Sequence, residues 1–265
     1  MKIIMIGDIF ARPGREAVEK YIPVLREKYQ PDLIIANADN ASHGLGINTQ
    51  NVKDLYEYGV DLLTGGDHIW HQKDLLPHLD RSPWVLRPIN YPQGTPGKGF
   101  HILEKNGKRV LVIHAMARVF ISHLVDDPFA AIEKLLTGYT LGKNIDAIVV
   151  DFHGEATSEK NALGFALDGR VSAVVGTHTH IPTADARILP NGTAFMTDLG
   201  MTGDYNSVIG AEMDTPISNF RTGLKLGHLQ PAKGEGTLCG AFIETDDSGK
   251  AIRMEPIRLG GQIGA

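Results

Sequence analysis

Val171-Ser172-Ala173-Val174-Val175-Gly176-Thr177-His178-Thr179-His180 is the stretch from which the rest of the chain is read. The run 171–175 has the length and apolar content of a short buried strand, and Gly176 marks its end. His178 and His180, two residues apart, then face one way from an extended backbone. Imidazole is a common ligand for zinc, iron and similar metals. The pair would supply half of a coordination shell, although an isolated His-x-His is as readily a solvated loop. The surrounding chain decides between these readings.

Upstream, other apolar runs also end in metal-type side chains. Residues 3–6 form a strand that ends at Gly7-Asp8, and apolar positions at helical spacing predict a helix over 15–29 after an Arg12-Pro13-Gly14 loop. Residues 33–36 form a second strand, ending in Asn37-Ala38-Asp39-Asn40. A glycine-bearing loop and a helix over 49–58 follow. A third strand, 60–63, ends in Gly65-Gly66-Asp67-His68, with a short helix over 73–79 after it. Strand–helix alternation predicts a parallel sheet covered by helices, with ligands outside the carboxyl ends of its strands. Any one of Asp8, Asp39, Asn40 and Asp67 has an ordinary reading as a cap or turn residue. Their succession at one end of a sheet points to a site.

From Trp84 the pattern changes. Asn106-Gly107 between 100–104 and 109–114 predicts a tight hairpin, and 128–136 a helix. A strand over 147–150 ends in Asp151-Phe152-His153-Gly154-Glu155, and a helix over 158–165 leads to the opening stretch. Asn191-Gly192 predicts a second hairpin between 187–189 and 193–196. Residues 201–227 read as a long loop with some helix, and 238–244 with 252–258 as a closing hairpin. Without linker, repeat or low-complexity segment, residues 1–265 read as one domain of two packed sheets flanked by helices.

Composition sets bounds. The chain has 265 residues, 42% of them hydrophobic, with a net charge of −5 and no long single-sign run. That argues against a nucleic-acid scaffold or a membrane-surface protein. It leaves room for a nucleotide substrate, because bound cations reverse the field in an acidic pocket. Cys239 is the only cysteine, which excludes a disulfide framework and a cysteine-rich zinc site. The first residues do not read as a signal peptide, and no apolar run approaches the roughly 20 residues of a membrane span. The expectation is a cytoplasmic protein.

Carboxylates, an amide oxygen and imidazoles, from Asp8, Asp39, Asn40, Asp67, His153, His178 and His180, suit two borderline cations such as manganese, iron or zinc. Two metals roughly 3.5–4 Å apart can hold a hydroxide for in-line attack on phosphorus. A neighbouring imidazole can protonate the leaving alkoxide, and His68 stands next to Asp67.

The ordered set Gly7-Asp8, Ala38-Asp39-Asn40, Gly66-Asp67-His68, His153 and Gly176-Thr-His178-Thr-His180 resembles the calcineurin-like metallophosphoesterase superfamily. Gly-Asp-Ile-Phe-Ala-Arg-Pro-Gly-Arg, Asp-Phe-His-Gly-Glu-Ala-Thr-Ser-Glu-Lys and Gly-Thr-His-Thr-His-Ile-Pro-Thr-Ala-Asp look like its YmdB-type branch, over essentially the whole chain. The resemblance implies a four-layer α/β sandwich with two mixed sheets and phosphodiesterase activity on 2′,3′-cyclic nucleotides. It implies two metal ions, iron or manganese before zinc. Asp8 and His180 would bind one metal, Asp67, His153 and His178 the other, with Asp39 bridging and His68 the general acid. Phe10 stands where the superfamily has a histidine ligand, and Asn40 is the replacement. The branch often carries Glu at Asp39 and Asn at Asp67, so this chain has a shorter bridge and an added charge. The partners that follow are a small nucleotide substrate, no membrane and a homo-oligomer; RNA ends carry no support. A phosphomonoesterase on the same centre and a regulatory metal-binding protein are the competing functions.

Overall fold

A computed structural model describes residues 1–81, 84–225 and 227–264. Twelve strands lie among them: β1 (Lys2–Ile6), β2 (Leu33–Asn37), β3 (Leu62–Thr64), β4 (Val85–Leu86), β5 (Phe100–Lys105), β6 (Lys108–Met116), β7 (Ala147–His153), β8 (Ala173–Thr177), β9 (Arg187–Ile188), β10 (Ala194–Met196), β11 (Leu238–Thr245) and β12 (Ala251–Leu259). The helices are α1 (Ala11–Tyr29), α2 (Thr49–Glu57), α3 (Pro128–Leu136), α4 (Thr157–Ala166) and α5 (Asp214–Thr222). One six-stranded sheet runs β12-β11-β1-β2-β3-β4 and the other β5-β6-β7-β8-β10-β9. Both are mixed: β1 to β4 are parallel and β11–β12 antiparallel, while β6, β7, β8 and β10 are parallel between antiparallel edges.

Three apolar cores stack these sheets into four layers. Val18, Ile22 and Leu25 of α1 and Val52 and Leu55 of α2 pack on the outer face of the first sheet, against Ile4, Ile34 and Leu63. Ile132 of α3 and Leu163 of α4 cover the outer face of the second, against Ile113, Val150 and Phe195. Between the sheets lie Ile3, Met5, Leu33, Ile35 and Leu62, facing Val110, Val112, Val149, Ala173 and Val175. Each such buried aliphatic side chain contributes about 1.5–3 kcal/mol. The expected two-sheet α/β sandwich is the observed one.

Strand alternation then carries this inner layer into the site. The inward series runs from Ile35 to Asn37 on β2, and from Leu62 to Thr64 on β3. On β7 it runs from Val149 to Asp151 and His153, and on β8 from Val175 to Thr177. Asn37 Nδ2 and Thr64 Oγ1 donate across the gap to Asp151 Oδ2, at 3.0 and 2.6 Å. The two sheets are thus bonded to one another at their carboxyl ends.

Several element boundaries differ from expectation. α1 begins at Ala11, four residues early, because Pro13 falls in the first turn, where a missing N–H costs nothing. The helix over 73–79 is reduced to a 3-10 turn, Leu76–His78, since Pro77 cannot donate an α-helical bond. β7 does not stop at Val150 but runs to His153, paired on both sides. β8 is displaced two residues toward the histidines. Leu226, in the segment read as a loop, lies outside the described residues. No helix among the described residues is long and apolar enough to cross a membrane.

Candidate metal centre

β3, β7 and β8 deliver the first group of side chains. His153 Nε2 lies 3.2 Å from Asp67 Oδ1, 3.1 Å from His178 Nδ1 and 3.5 Å from Asp39 Oδ2. Asp39 Oδ1 accepts the backbone N–H of His68 at 2.9 Å, and its own N–H donates to Asn37 Oδ1 at 3.0 Å. Gly66 makes this approach possible, because a Cβ there would stand 2.5 Å from His153 Nε2 and 2.6 Å from Asp39 Cγ. His68 Nδ1 is 3.6 Å from Asp67 Oδ2.

The second group gathers around the ends of β1 and β2. His180 Nε2 meets Asn40 Oδ1 at 3.2 Å, and Asn40 Nδ2 donates to the Gly44 carbonyl at 3.0 Å. Asp8 is fully buried between the groups and accepts the N–H of His178, at 3.1 Å to Oδ2. His153 Nδ1 is 3.9 Å from Asp8 Oδ1. All eight residues singled out in the sequence therefore converge.

The expected parallel presentation of His178 and His180 is not what brings them there. Both lie beyond β8 at positive φ, 101° and 66°, so their rings diverge. His178 turns its N–H to Asp8 and its ring to His153, with centroids 4.8 Å apart. His180 packs edge-on against Phe10 at 5.5 Å. The two imidazoles serve opposite halves of the cluster.

The protonation pattern tests whether a cation fits. His153 Nδ1 faces Thr177 Oγ1 at 3.0 Å, His178 Nε2 faces Glu155 Oε2 at 3.4 Å, and His180 Nδ1 faces the Ile209 carbonyl at 2.8 Å. A carboxylate and a carbonyl only accept, so His178 Nε2 and His180 Nδ1 carry the protons. Thr177 gives its one hydroxyl proton to Asp151 Oδ1 at 2.8 Å, and so accepts from His153 Nδ1. Assigned in this way, each ring turns a bare lone pair inward, onto carboxylate, amide or imidazole acceptors. Such an arrangement repels itself and becomes cohesive around a cation. Oxygen and nitrogen donors of this kind suit borderline divalent metals.

Electrostatics agree. Burial, reinforced by Asp198, pushes the Asp8 carboxyl well above its usual range, although the His178 N–H opposes it. Burial and repulsion from Asp67 and Asp8 do the same to Asp39. Burial drives His153 down to about 3, which keeps it neutral. Burial also lowers His180 and His68, the latter against the pull of Asp67. A cation would relieve the crowding at Asp8 and Asp39 together.

Beside the second group opens a cleft of about 530 Å³, lined by Phe10, Asn40, His68, His180 and a surrounding rim of loops.

Comparison with known proteins gives this geometry a family. The model of the YmdB-like protein family matches residues 4–257. The chain belongs to the YmdB-like family. A Bacillus subtilis (strain 168) relative, the 2′,3′-cyclic-nucleotide 2′-phosphodiesterase, is 45% identical over 260 residues, covering 98% of this chain and 97% of its own. A crystal structure of a hypothetical protein from Thermus thermophilus superposes with a TM-score of 0.91 at 42% identity, covering 98% and 99% of the two chains. One from Mycoplasma pneumoniae, described as a novel phosphatase, gives 0.91 at 35%, covering 98% and 93%.

In this YmdB-like protein a second set of residues, not read as functional from sequence, holds the candidate ligands. Asp151 accepts from Asn37, Thr64 and Thr177; against burial, His114, with Nδ1 3.3 Å away, and then the Thr64 hydroxyl hold its carboxyl below the usual range. Lys160 of α4, fully buried, donates to Asp198 Oδ2 at 2.7 Å and to the Thr177 carbonyl at 2.8 Å. Asp198 in turn receives Thr179 N–H at 3.1 Å and Gly200 N–H at 2.8 Å, which pins the histidine loop. Asp151 had a signal: a charged residue continuing an apolar strand must be partnered if buried. Glu155 Oε2 lies 3.4 Å from His178 Nε2. His71 packs on His68 and His123 beside Tyr91, while His43 lines the cleft.

Proposed function

We propose that this YmdB-like protein is a metal-dependent phosphodiesterase that hydrolyses 2′,3′-cyclic nucleotides at the 2′ ester, leaving 3′-nucleotides. The observation that carries the reading is the set of three imidazoles with protons held outward and lone pairs converging with Asp8, Asp39, Asn40 and Asp67. The activity named for the Bacillus subtilis relative supports it. Asp8, Asn40 and His180 would hold one cation and Asp67, His153 and His178 the other, with Asp39 available to both; iron or manganese is expected ahead of zinc. When bound, the cations supply Lewis acidity and neutralise charge on the phosphoryl oxygens.

The chain's own residues supply the rest. As the imidazolium, with Nδ1 facing Asp67 Oδ2 at 3.6 Å, His68 has an Nε2–H to deliver. Water oxygen bonds to phosphorus and sheds one proton to solvent, the P–O2′ bond breaks, and the His68 proton ends on O2′; His68 then regains a proton from solvent. The cleft lined by His68, Asn40 and His180 receives the nucleotide.

Metal content of the purified protein, with turnover of 2′,3′-cyclic AMP against a simple phosphomonoester, tests this. Near two metals per chain and preference for the cyclic diester is the expected result. The reverse preference moves the function to a phosphatase, and absence of metal binding overturns it. Asp39→Ala should lose metal and activity together. His68→Ala should keep its metal and lose turnover, least on substrates with good leaving groups.

A further inference from the structure

Ile209 occupies a backbone conformation that its side chain disfavours. Val208 N–H donates to the Ala211 carbonyl at 2.9 Å and Ala211 N–H returns to Val208 at 3.0 Å, closing a two-residue turn. Its central residues both have positive φ, 46° at Ile209 and 102° at Gly210. Turns of this kind favour Asn-Gly or Asp-Gly. The chain follows that rule at Asn106-Gly107, where φ is 54° and 73°. A β-branched residue at positive φ is an outlier, and such outliers gather at functional sites.

The backbone does not explain the choice. The Ile209 carbonyl accepts from His180 Nδ1, and any residue supplies a carbonyl. What isoleucine adds is its side chain, which is 53% exposed and lines the cleft beside the candidate centre. Leu45 and Leu229, 46% and 56% exposed, line the same cleft. Three exposed aliphatic side chains from separate loops thus border an opening that Asn40, His68 and His180 also line.

We propose that Ile209 is a specificity-determining residue: with Leu45 and Leu229 it forms the apolar wall that receives the base of the nucleotide. This rests on the nucleotide reading above. The phosphate belongs at the end lined by Asn40, His68 and His180, beside the candidate metal centre, and the base, with two apolar faces, belongs against the wall.

Ile209→Asn gives the turn a residue it favours and removes the aliphatic surface. Its thermal midpoint should equal or exceed that of the unsubstituted protein. The ratio of kcat/KM for 2′,3′-cyclic AMP to that for ethylene phosphate, a five-membered cyclic diester without sugar or base, should fall about ten-fold, chiefly through KM. Ile209→Leu should retain the ratio. Unchanged kcat/KM on both compounds, or an equal fall on both, leaves the ratio unchanged and overturns the assignment, the second result showing that Ile209 acts through His180. Unsubstituted protein that turns over neither compound overturns the nucleotide reading and this inference together; turnover with an unchanged ratio overturns this inference alone.

Discussion

Thr177 has one hydroxyl proton, and Asp151 takes it. The consequence reaches His153, whose Nδ1–H then has an acceptor and whose Nε2 is left bare toward Asp67 and His178. Thr177→Val removes both bonds while keeping shape. It should cost about 1–3 kcal/mol, the range for a buried polar group left unsatisfied. It should also weaken metal affinity roughly 10–100-fold, as loss of an outer hydrogen-bond partner does. Thr177→Ser should keep both properties; denaturant titration and a metal-binding isotherm read them separately. At this scale the sequence was informative about residue types. Asp8, Asp39, Asp67 and His153 were legible because carboxylates and imidazoles at strand ends have a restricted set of uses. The orientation of His178 and His180 was not, because a local rule for extended backbone cannot see Asp8, Tyr205 and Ile209. The N–H of His178 is held by Asp8, and the carbonyl of His180 lies 3.0 Å from Tyr205 Oη.

Helix α4 reaches the centre through Lys160, which lies under the histidine loop and joins β8 to Asp198. Breaking a buried ion pair strands its partner, here a carboxylate that also orients Thr179 and Gly200. Lys160→Met should therefore cost about 3–5 kcal/mol in a denaturant titration. Retained metal in that variant, at unchanged affinity, would show that the loop holds its shape without the pair. Elements with strong periodicity, such as α2, α3 and the β5–β6 hairpin, were readable because their own residues dictate them. β4 was not, because two residues carry no period and the strand exists only by pairing with β3. The extension of β7 through Asp151 was hidden for a related reason: the charge is tolerable only with Asn37, Thr64 and Thr177 already in place.

The whole molecule divides the candidate centre between its sheets. Asp8, Asp39, Asn40 and Asp67 follow strands of the first, and His153, His178 and His180 belong to the second. Removing a cation present at a hundred times its dissociation constant forfeits about 2.7 kcal/mol of folding stability. For a chain of this size a chelator should lower the thermal midpoint by roughly 5–10 °C. The four-layer arrangement was legible because alternating runs predict sheets and two sheets must bury their inner faces. The inter-sheet bonds to Asp151 depend on a register that one strand cannot announce.

That division also has a kinetic meaning. A cation that needs donors from both sheets finds no complete set until the sheets have met along Ile35, Leu62, Val149 and Val175. Where the sheets meet only after the rate-limiting step of folding, its stabilisation belongs to the unfolding barrier. Metal should steepen nothing in the refolding limb of a chevron and slow the unfolding limb by the full binding energy. Such a protein would be born at the same speed in metal-poor and metal-rich cells, and differ only in how long it lasts.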